Sequence, residues 1–413
     1  MFPETGNRTK AAAVSASRNF GPGIAATEDV SLGVFSASGN HGPGVQSIFG
    51  SIIIEPVIDE SASPNPESFP YINVEENQGP GLLAGSDSDF TAEGDDDSDE
   101  DTPPQNITIK GNIWARRNGS WGILTTGQWD IFINIDPIRK NYLSPGVSEI
   151  SVNGQAIGCF LIDGEGDLVT PIDECQSGGI GAAAGNIHGA RLEVLKNQGT
   201  GVVAAGDVSL TGVISTGNVG PGVQRLFGAI KISIGGTEET GILEVMENQG
   251  PGIFAGTDLG FVTDGESEDE SSPGIAITNQ LKVRDNGAWG ILSISGDVFV
   301  NVDPDGHRTL PGLVSEISGN GNPDLNCWVL SEEGDPVTPD DGCNEGGGIG
   351  APAEKSTWRE LTLEGISVQV SPLLRTSTFG GSRPITIKAP ASRAYLALSP
   401  SLRVAAQTKR ASL

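Results

Sequence analysis

Several short stretches of the chain alternate between apolar and polar side chains with a period of two. They include the segments from Ile131 to Ile135, from Val208 to Leu210 and from Val298 to Val302. Alternation of this kind, carried by β-branched residues, predicts β-strands that turn one side towards a core. We therefore expect an all-β protein built from many short strands.

A turn motif, Asn-x-Gly-x-Gly-aliphatic, separates these stretches. Six copies begin at Asn19, Asn40, Asn77, Asn197, Asn218 and Asn248, and two variants with Trp in the fourth position begin at Asn118 and Asn286. The shortest spacing between copies is 21 residues, and the longer spacings carry inserts. A coil of that length suits three short strands and three bends, and it is shorter than the helical repeats. The spacing predicts a β-solenoid with minimal coils of about 21 residues and long loop inserts.

Each position of the motif has a physical reason. Asn tolerates the left-handed backbone region, and its amide can bond to the backbone or to an Asn one coil away, which would form a ladder. Gly supplies positive φ or close approach, and Pro pre-sets the turn. The closing aliphatic residue points inwards, where only a stack of coils can bury it.

This pattern resembles the right-handed parallel β-helix repeat proteins of the broad pectate-lyase-like superfamily, over roughly Thr9 to Gly350. The resemblance implies a right-handed parallel β-helix. The superfamily contains pectate lyases, polygalacturonases, mannuronan epimerases, phage tailspikes and non-catalytic surface adhesins, so the fold alone does not select an activity.

The chain also contains a larger duplication, because the segments that begin at Asn118 and Asn286 match at an offset of 168 residues. We expect residues 1–186 to form a first β-helix half with an acidic insert and a cysteine loop. Residues 187–354 would form a second half that continues the first. Residues 355–413 would form a basic extension, with a cap strand followed by a poorly ordered tail.

Charge narrows the choice of partners. The formal net charge is −29, which disfavours nucleic acid and can concentrate Ca²⁺. The stretch from Gly365 onwards has seven Lys or Arg and no acidic residue. No run of apolar residues is long enough to insert in a membrane, and no signal peptide is evident. Because Met1 leads almost directly into a repeat, we expect the amino-terminal end to be truncated or mispredicted.

Four cysteines form two pairs with fifteen residues between the members of each pair. Four cysteines allow three disulfide connectivities, and the duplication favours Cys159 with Cys175 and Cys327 with Cys343. Such pairing indicates an oxidising compartment, outside the cell or on its surface. The cysteine loops also contain the candidate Ca²⁺ ligands Asp163, Glu165, Asp167, Asp173, Asp335 and Asp341. The alternative is a structural loop held by its disulfide.

Trp121 and Trp289 are candidates for stacking on a sugar ring, and the alternative is that they pack at the turn. Six charged residues repeat between the halves and are candidates to line a groove: Arg116, Arg284, Asp130, Asp136, Asp297 and Asp303. A polysaccharide-active enzyme needs paired carboxylates, or a cation with a base. The Gly-His-Gly and Arg-Ile-Lys motifs of the hydrolases and the Asp-Pro-His-Asp motif of the epimerases are absent, and the halves share no His.

Two functions remain in competition. The favoured hypothesis is a non-catalytic secreted or cell-surface β-helix that binds carbohydrate or adheres to a surface component, because scaffolds lengthen by duplication. The rival is a lyase, epimerase or glycoside hydrolase on the same fold. Convergence of carboxylates and an arginine in one groove would favour the enzyme, whereas a flat polar face would favour the scaffold.

Overall fold

The computed structural model describes residues 14–56, 72–85, 106–127, 129–138, 146–154, 161–162, 168–169, 177–233, 243–256, 274–278, 280–294, 298–303, 308–309, 315–321, 329–330, 336–337, 348–350, 356–358, 361–364 and 387–388. Within these ranges all regular structure is β-strand. Each coil contributes three short strands, which we assign to faces A, B and C in chain order. Equivalent strands of successive coils pair in parallel.

Face A holds the strand before each Asn turn: Val14–Ser17, Phe35–Ser38, Ile72–Glu75, Ile113–Arg116, Ser148–Ser151, Leu243–Met246, Leu281–Arg284 and Ser315–Ser318. Two further strands without an Asn turn, Leu361–Glu364 and Ile387–Lys388, extend this face. Face B holds the strand after it: Ile24–Ala26, Val45–Ser47, Leu82–Ala84, Ile123–Thr125, Gly178–Ala182, Thr200–Ala204, Val223–Arg225, Ile253–Ala255, Ile291–Ser293 and Ile349–Gly350. Face C closes the coil: Val30–Leu32, Ile52–Ile54, Ile107–Ile109, Ile131–Ile133, Ile230–Ile232, Ile275–Ile277, Val298–Val300 and Ser356–Trp358.

Two long strands, Ile187–Leu195 and Val208–Thr216, run from face C into face A and join these faces into one sheet. Each bends where its backbone turns left-handed, at Arg191 with φ 52° and at Gly212 with φ 66°. The first long strand pairs with Ile131–Ile133 on one side and with the second long strand on the other. The sheets therefore pass without interruption from the first half of the chain to the second.

The core lies inside the three faces, where identical positions of successive coils stack. The aliphatic residue that closes the turn motif is fully buried in eight coils, at Val45, Leu82, Ile123, Ile180, Val202, Val223, Ile253 and Ile291. Burying such a side chain contributes about 1.5–3 kcal/mol each. Because the contacts are made between coils, this stabilisation exists only in the stack.

The all-β parallel solenoid predicted from the sequence is confirmed. Minimal coils of 21 residues place Val14 beside Phe35 and Leu192 beside Val213. The longer coils keep the same register, and their additional residues fall between strands, at the corners of the coil. The described residues contain no helix long and apolar enough to cross a bilayer.

The inserts follow the same order in both halves. We name each corner by the two faces that it joins. In both halves a minimal coil is followed by inserts at the C–A, B–C, C–A and A–B corners, in that order. The first series lies between Phe35 and Ala182, and the second lies between Val213 and Gly350. The A–B inserts contain matching antiparallel ribbons, Leu161–Ile162 with Leu168–Val169 and Val329–Leu330 with Pro336–Val337. The duplicated unit is therefore a set of five coils.

Candidate functional site

The turn asparagines form a continuous ladder along the corner between faces A and B. The backbone N–H and the Nδ2 of one Asn both donate to the Oδ1 of the Asn one coil further on, at 2.7–3.3 Å. Nδ2 also donates to a carbonyl of the preceding coil, for example from Asn118 to Val74 at 3.1 Å. The described rungs are Asn19, Asn40, Asn77, Asn118, Asn153, Asn197, Asn218, Asn248, Asn286 and Asn320. The ladder thus satisfies a buried polar row that would otherwise be destabilising.

Asn153 and Asn320 are rungs that the sequence motif missed. Both follow a Ser-Glu-Ile-Ser strand, at Ser148–Ser151 and Ser315–Ser318. The A–B insert separates each of them from the glycines that complete the motif elsewhere. The repeated tetrapeptide and the Asn two residues after it were the available signal.

The expectation that Asn itself adopts the left-handed region is wrong. The left-handed residue is the one before each rung, with φ between 52° and 70°: Arg18, Gly39, Glu76, Arg117, Val152, Lys196, Gly217, Glu247, Asp285 and Gly319. That bend turns the chain out of face A, and the Asn then lies in the corner with its amide along the solenoid axis. Residue type at the bend varies, so the sequence does not mark it.

The second glycine of the motif is required by close approach rather than by its φ angle. A Cβ at Gly81 would lie 2.4 Å from the carbonyl oxygen of Gly122 and 2.8 Å from Asn118 Nδ2. Gly44 and Gly222 have the same surroundings one coil along in each case. The glycine row therefore makes room for the ladder.

A second ladder runs along the corner between faces B and C, and it accounts for Asp130. Here a side-chain oxygen of one coil accepts the backbone N–H of the next, at 2.6–3.1 Å. Its acceptors are Asp29, Ser51, Asn106, Asp130, Asn186 and Asp207. Asp130 also accepts from Asn186 Nδ2 at 2.9 Å. Asp130 is a structural acceptor in this ladder, because its carboxylate binds two donors of the neighbouring coil.

The two tryptophans of the variant turns are buried, which favours the alternative that they pack at the turn over stacking on a sugar. Trp121 is 0% exposed and Trp289 is 3% exposed. Trp121 packs with Leu124 on the outer side of face B, and a Cβ at Gly178 would lie 2.2 Å from its ring. Trp289 packs against Phe254 in the same way. Each indole covers a strand face, so a ligand does not reach it.

Several charged side chains on the outer side of face A pair between neighbouring coils. Lys282 Nζ lies 2.8 Å from Glu244 Oε1, and Arg284 Nη1 lies 3.8 Å from Glu316 Oε1. Another pair joins Arg116 to Glu149.

Arg117 Nη2 lies 3.0 Å from Glu75 Oε2 and 2.9 Å from Glu76 Oε1, which extends this paired row. Beside it, the guanidinium of Arg116 lies 4.2 Å from the centre of the half-buried ring of Trp114. Face A therefore presents one outward Trp among paired charges.

The six expected groove residues do not converge within the described part of the chain. Arg116 lies at the end of a face A strand, Asp130 at the B–C corner and Asp136 beyond face C. Asp136 accepts the backbone N–H of Ile138 at 2.8 Å, which is a local turn. Arg116, Asp130 and Asp136 therefore lie at three different corners of one coil, and the structure does not bring these three together in one groove.

A buried cation, Arg225, was not anticipated. It is 1% exposed and takes the inward position that Ser47 holds in the first five-coil unit. Burial lowers the pKa of its guanidinium to about 10, and the carboxylate of Asp207 acts against that shift. At neutral pH the group remains charged.

Other candidates lie outside the described residues. These are the four cysteines, the six candidate Ca²⁺ ligands and Asp297, while Asp303 is described only in its backbone. Among the residues that are described, no group of three or more His, Cys, Asp or Glu side chains could hold a metal ion.

No protein-family model, curated protein or solved structure matches this chain.

Proposed function

We propose that the chain is a non-catalytic secreted or cell-surface β-helix protein that binds carbohydrate or adheres to a surface component through face A. We also propose that it belongs among the pectate-lyase-like β-helix proteins, on the strength of the Asn turn. The observation that carries the functional proposal is the pairing of charges on face A. Arginines and carboxylates that could act on a substrate are held by partners one coil away.

Trp114 is the side chain around which we propose the contact. It is half-buried on the outer side of face A, and its strand partners place Asn73 on one side and Glu149 on the other. An aromatic ring flanked by hydrogen-bonding groups suits the apolar face of a sugar and its hydroxyls. The paired arginines and glutamates beside it offer further polar contacts without a net field of one sign.

The experiment measures binding to a panel of neutral and uronate polysaccharides, with and without Ca²⁺, and analyses the products. We expect retention without chain cleavage, and a loss of retention in Trp114→Ala. The matched control is Phe227→Ala, which removes a 50% exposed aromatic from the B–C corner. Release of unsaturated or reducing ends would overturn the non-catalytic proposal in favour of an enzyme. If Trp114→Ala and Phe227→Ala bind polysaccharide equally well, face A is not the contact surface.

Calcium and the extracellular location are part of the same proposal. The cysteine loops would each be closed by one disulfide and would bind Ca²⁺ through their carboxylates. Peptide mapping of the purified protein without reduction should find Cys159 linked to Cys175 and Cys327 linked to Cys343. A thermal-unfolding midpoint that Ca²⁺ leaves unchanged, compared with Mg²⁺ at equal ionic strength, would argue against the metal.

A further inference from the structure

All four Asn-Gly dipeptides of the sequence are rungs of the Asn ladder. They begin at Asn118, Asn153, Asn286 and Asn320. Backbone packing requires the glycine in at least two of them. A Cβ at Gly287 would lie 1.9 Å from the carbonyl oxygen of Gln249. Gly154 has a φ of 88°, and its Cβ would lie 2.3 Å from Ser177 Cβ.

Asn-Gly is the dipeptide in which the chain can most easily attack its own side chain, because Gly adds no Cβ to hinder the approach. The Gly backbone nitrogen gives up its proton and bonds to Cγ of the Asn, and the bond from Cγ to Nδ2 breaks to release ammonia. The product is a five-membered cyclic imide. Water then adds and opens the ring at either carbonyl, which leaves aspartate or β-linked aspartate.

The folded ladder holds both reacting groups in hydrogen bonds. The Gly119 backbone N–H donates to the carbonyl oxygen of Asn77 at 2.7 Å. Asn118 is fully buried, and its amide makes four hydrogen bonds, to two donors of Asn77 and to the carbonyl of Val74 and Oδ1 of Asn153. Attack on Cγ would break these bonds in a site without solvent. Reaction therefore requires the corner to open.

We propose that the four Asn-Gly rungs are deamidation sites that the fold protects and that unfolding exposes, so that an unfolded chain loses the ability to refold. An aspartate in the ladder has no Nδ2 hydrogens for the carbonyl and the Oδ1 that face it, and its buried charge is unfavourable. A β-linked aspartate adds one backbone atom at the corner where each coil must stay in register with its neighbours. Either product breaks the ladder at that coil.

The four Asn-Gly rungs should deamidate at different rates in the folded protein. Asn118, Asn153 and Asn286 are fully buried, whereas Asn320, the last described rung, is half-buried. Asn320 makes three of the hydrogen bonds described above: it accepts two from Asn286 and donates one to Val283. Asn320 should therefore react first.

The experiment incubates the full chain in mildly alkaline buffer, either folded or unfolded in guanidinium chloride, and maps peptides by mass spectrometry. We expect the four rungs to deamidate in the unfolded sample, and the three buried rungs to react about 100-fold or more slowly when folded. In the folded sample, the deamidation rate of Asn320 should lie between the rate of the three buried rungs and the rate in the unfolded sample. Equal rates at the buried rungs in both samples would overturn the protection.

A second measurement tests the consequence for refolding. The chain with Asn118→Asp, Asn153→Asp, Asn286→Asp and Asn320→Asp reproduces the aspartate product without any exposure to alkali. We expect it to fail to regain the strand signal of the wild-type chain after dilution from guanidinium chloride. Unfolded wild-type chain held for the same time in mildly acidic buffer, where the attack is slow, should refold. If the fourfold variant refolds with wild-type yield, the proposal is wrong.

Discussion

Replacing one rung of the Asn ladder should destabilise the solenoid by much more than replacing an Asn elsewhere in the same region. Asn118→Ala removes a fully buried amide in the fourth coil of the first five-coil unit. The substitution leaves the backbone free to keep its bend, because the left-handed residue is Arg117. The effect therefore reports on the amide and its partners.

The magnitude follows from the four hydrogen bonds of the side chain. Asn118 Oδ1 accepts from the backbone N–H of Asn77 at 3.3 Å and from its Nδ2 at 2.9 Å, and Nδ2 donates to Val74 at 3.1 Å and to Asn153 at 3.0 Å. Asn77 Nδ2 retains its bond to Ala37, and Asn153 Oδ1 retains a backbone donor. The four hydrogen bonds of the Asn118 side chain are lost, at about 0.5–1.5 kcal/mol each, so the expected loss is about 2–6 kcal/mol.

The assay is equilibrium unfolding in guanidinium chloride, followed by tryptophan fluorescence, which reports on the turn through Trp121. The matched control is Asn73→Ala on the outer side of face A, where Asn73 Oδ1 makes no hydrogen bond. That control should change stability by no more than about 0.5 kcal/mol. Equal midpoints for Asn118→Ala and Asn73→Ala would refute a stabilising role for the ladder.

Asn118→Asp adds a test with a pH dependence. Burial and the two facing acceptors, Val74 O and Asn153 Oδ1, should raise the pKa of the new carboxyl above its usual range. The folded state then binds the proton more tightly than the unfolded state, so the loss of stability is greatest at neutral pH. It should shrink as the pH falls through the raised pKa. A loss that is independent of pH would contradict this electrostatic explanation.

Five further substitutions, two matched pairs and one single change, test the turn and the core by the same unfolding measurement. Gly42→Ala should lose about 2 kcal/mol or more, because its Cβ would lie 2.7 Å from Pro22 N, whereas Gly21→Ala, with nothing within 4 Å, should be neutral or slightly stabilising. Val152→Gly should gain about 1 kcal/mol, since a β-branched residue is strained at φ 58°, and Gly319→Val should lose a similar amount. Arg225→Ser should leave the midpoint unchanged or raise it, because the first unit has serine there; a loss above about 3 kcal/mol would show that the buried charge is well paired.

The sequence by itself determined the strands and the length of the repeating coil. Alternating residues such as Val208 to Leu210 specify strands because a strand has only two sides, and a turn repeated at 21 residues specifies coils of one size. The longer spacings do not disturb this pattern, because the additional residues fall between strands, at the corners of the coil. The Asn rungs that retain their glycines were visible for the same reason.

Only the tertiary structure decided which residue performs each role within the coil. The sequence does not distinguish a buried Trp from an exposed one. Trp121 is buried because its indole packs over Gly178. The B–C ladder uses Asp, Ser and Asn in turn, so its members share a position rather than a residue type. Asp130 could not be assigned to it until coils up to 56 residues apart in sequence were brought into register. Hydrogen bonds between coils depend on that register, and the sequence of a single coil does not contain it.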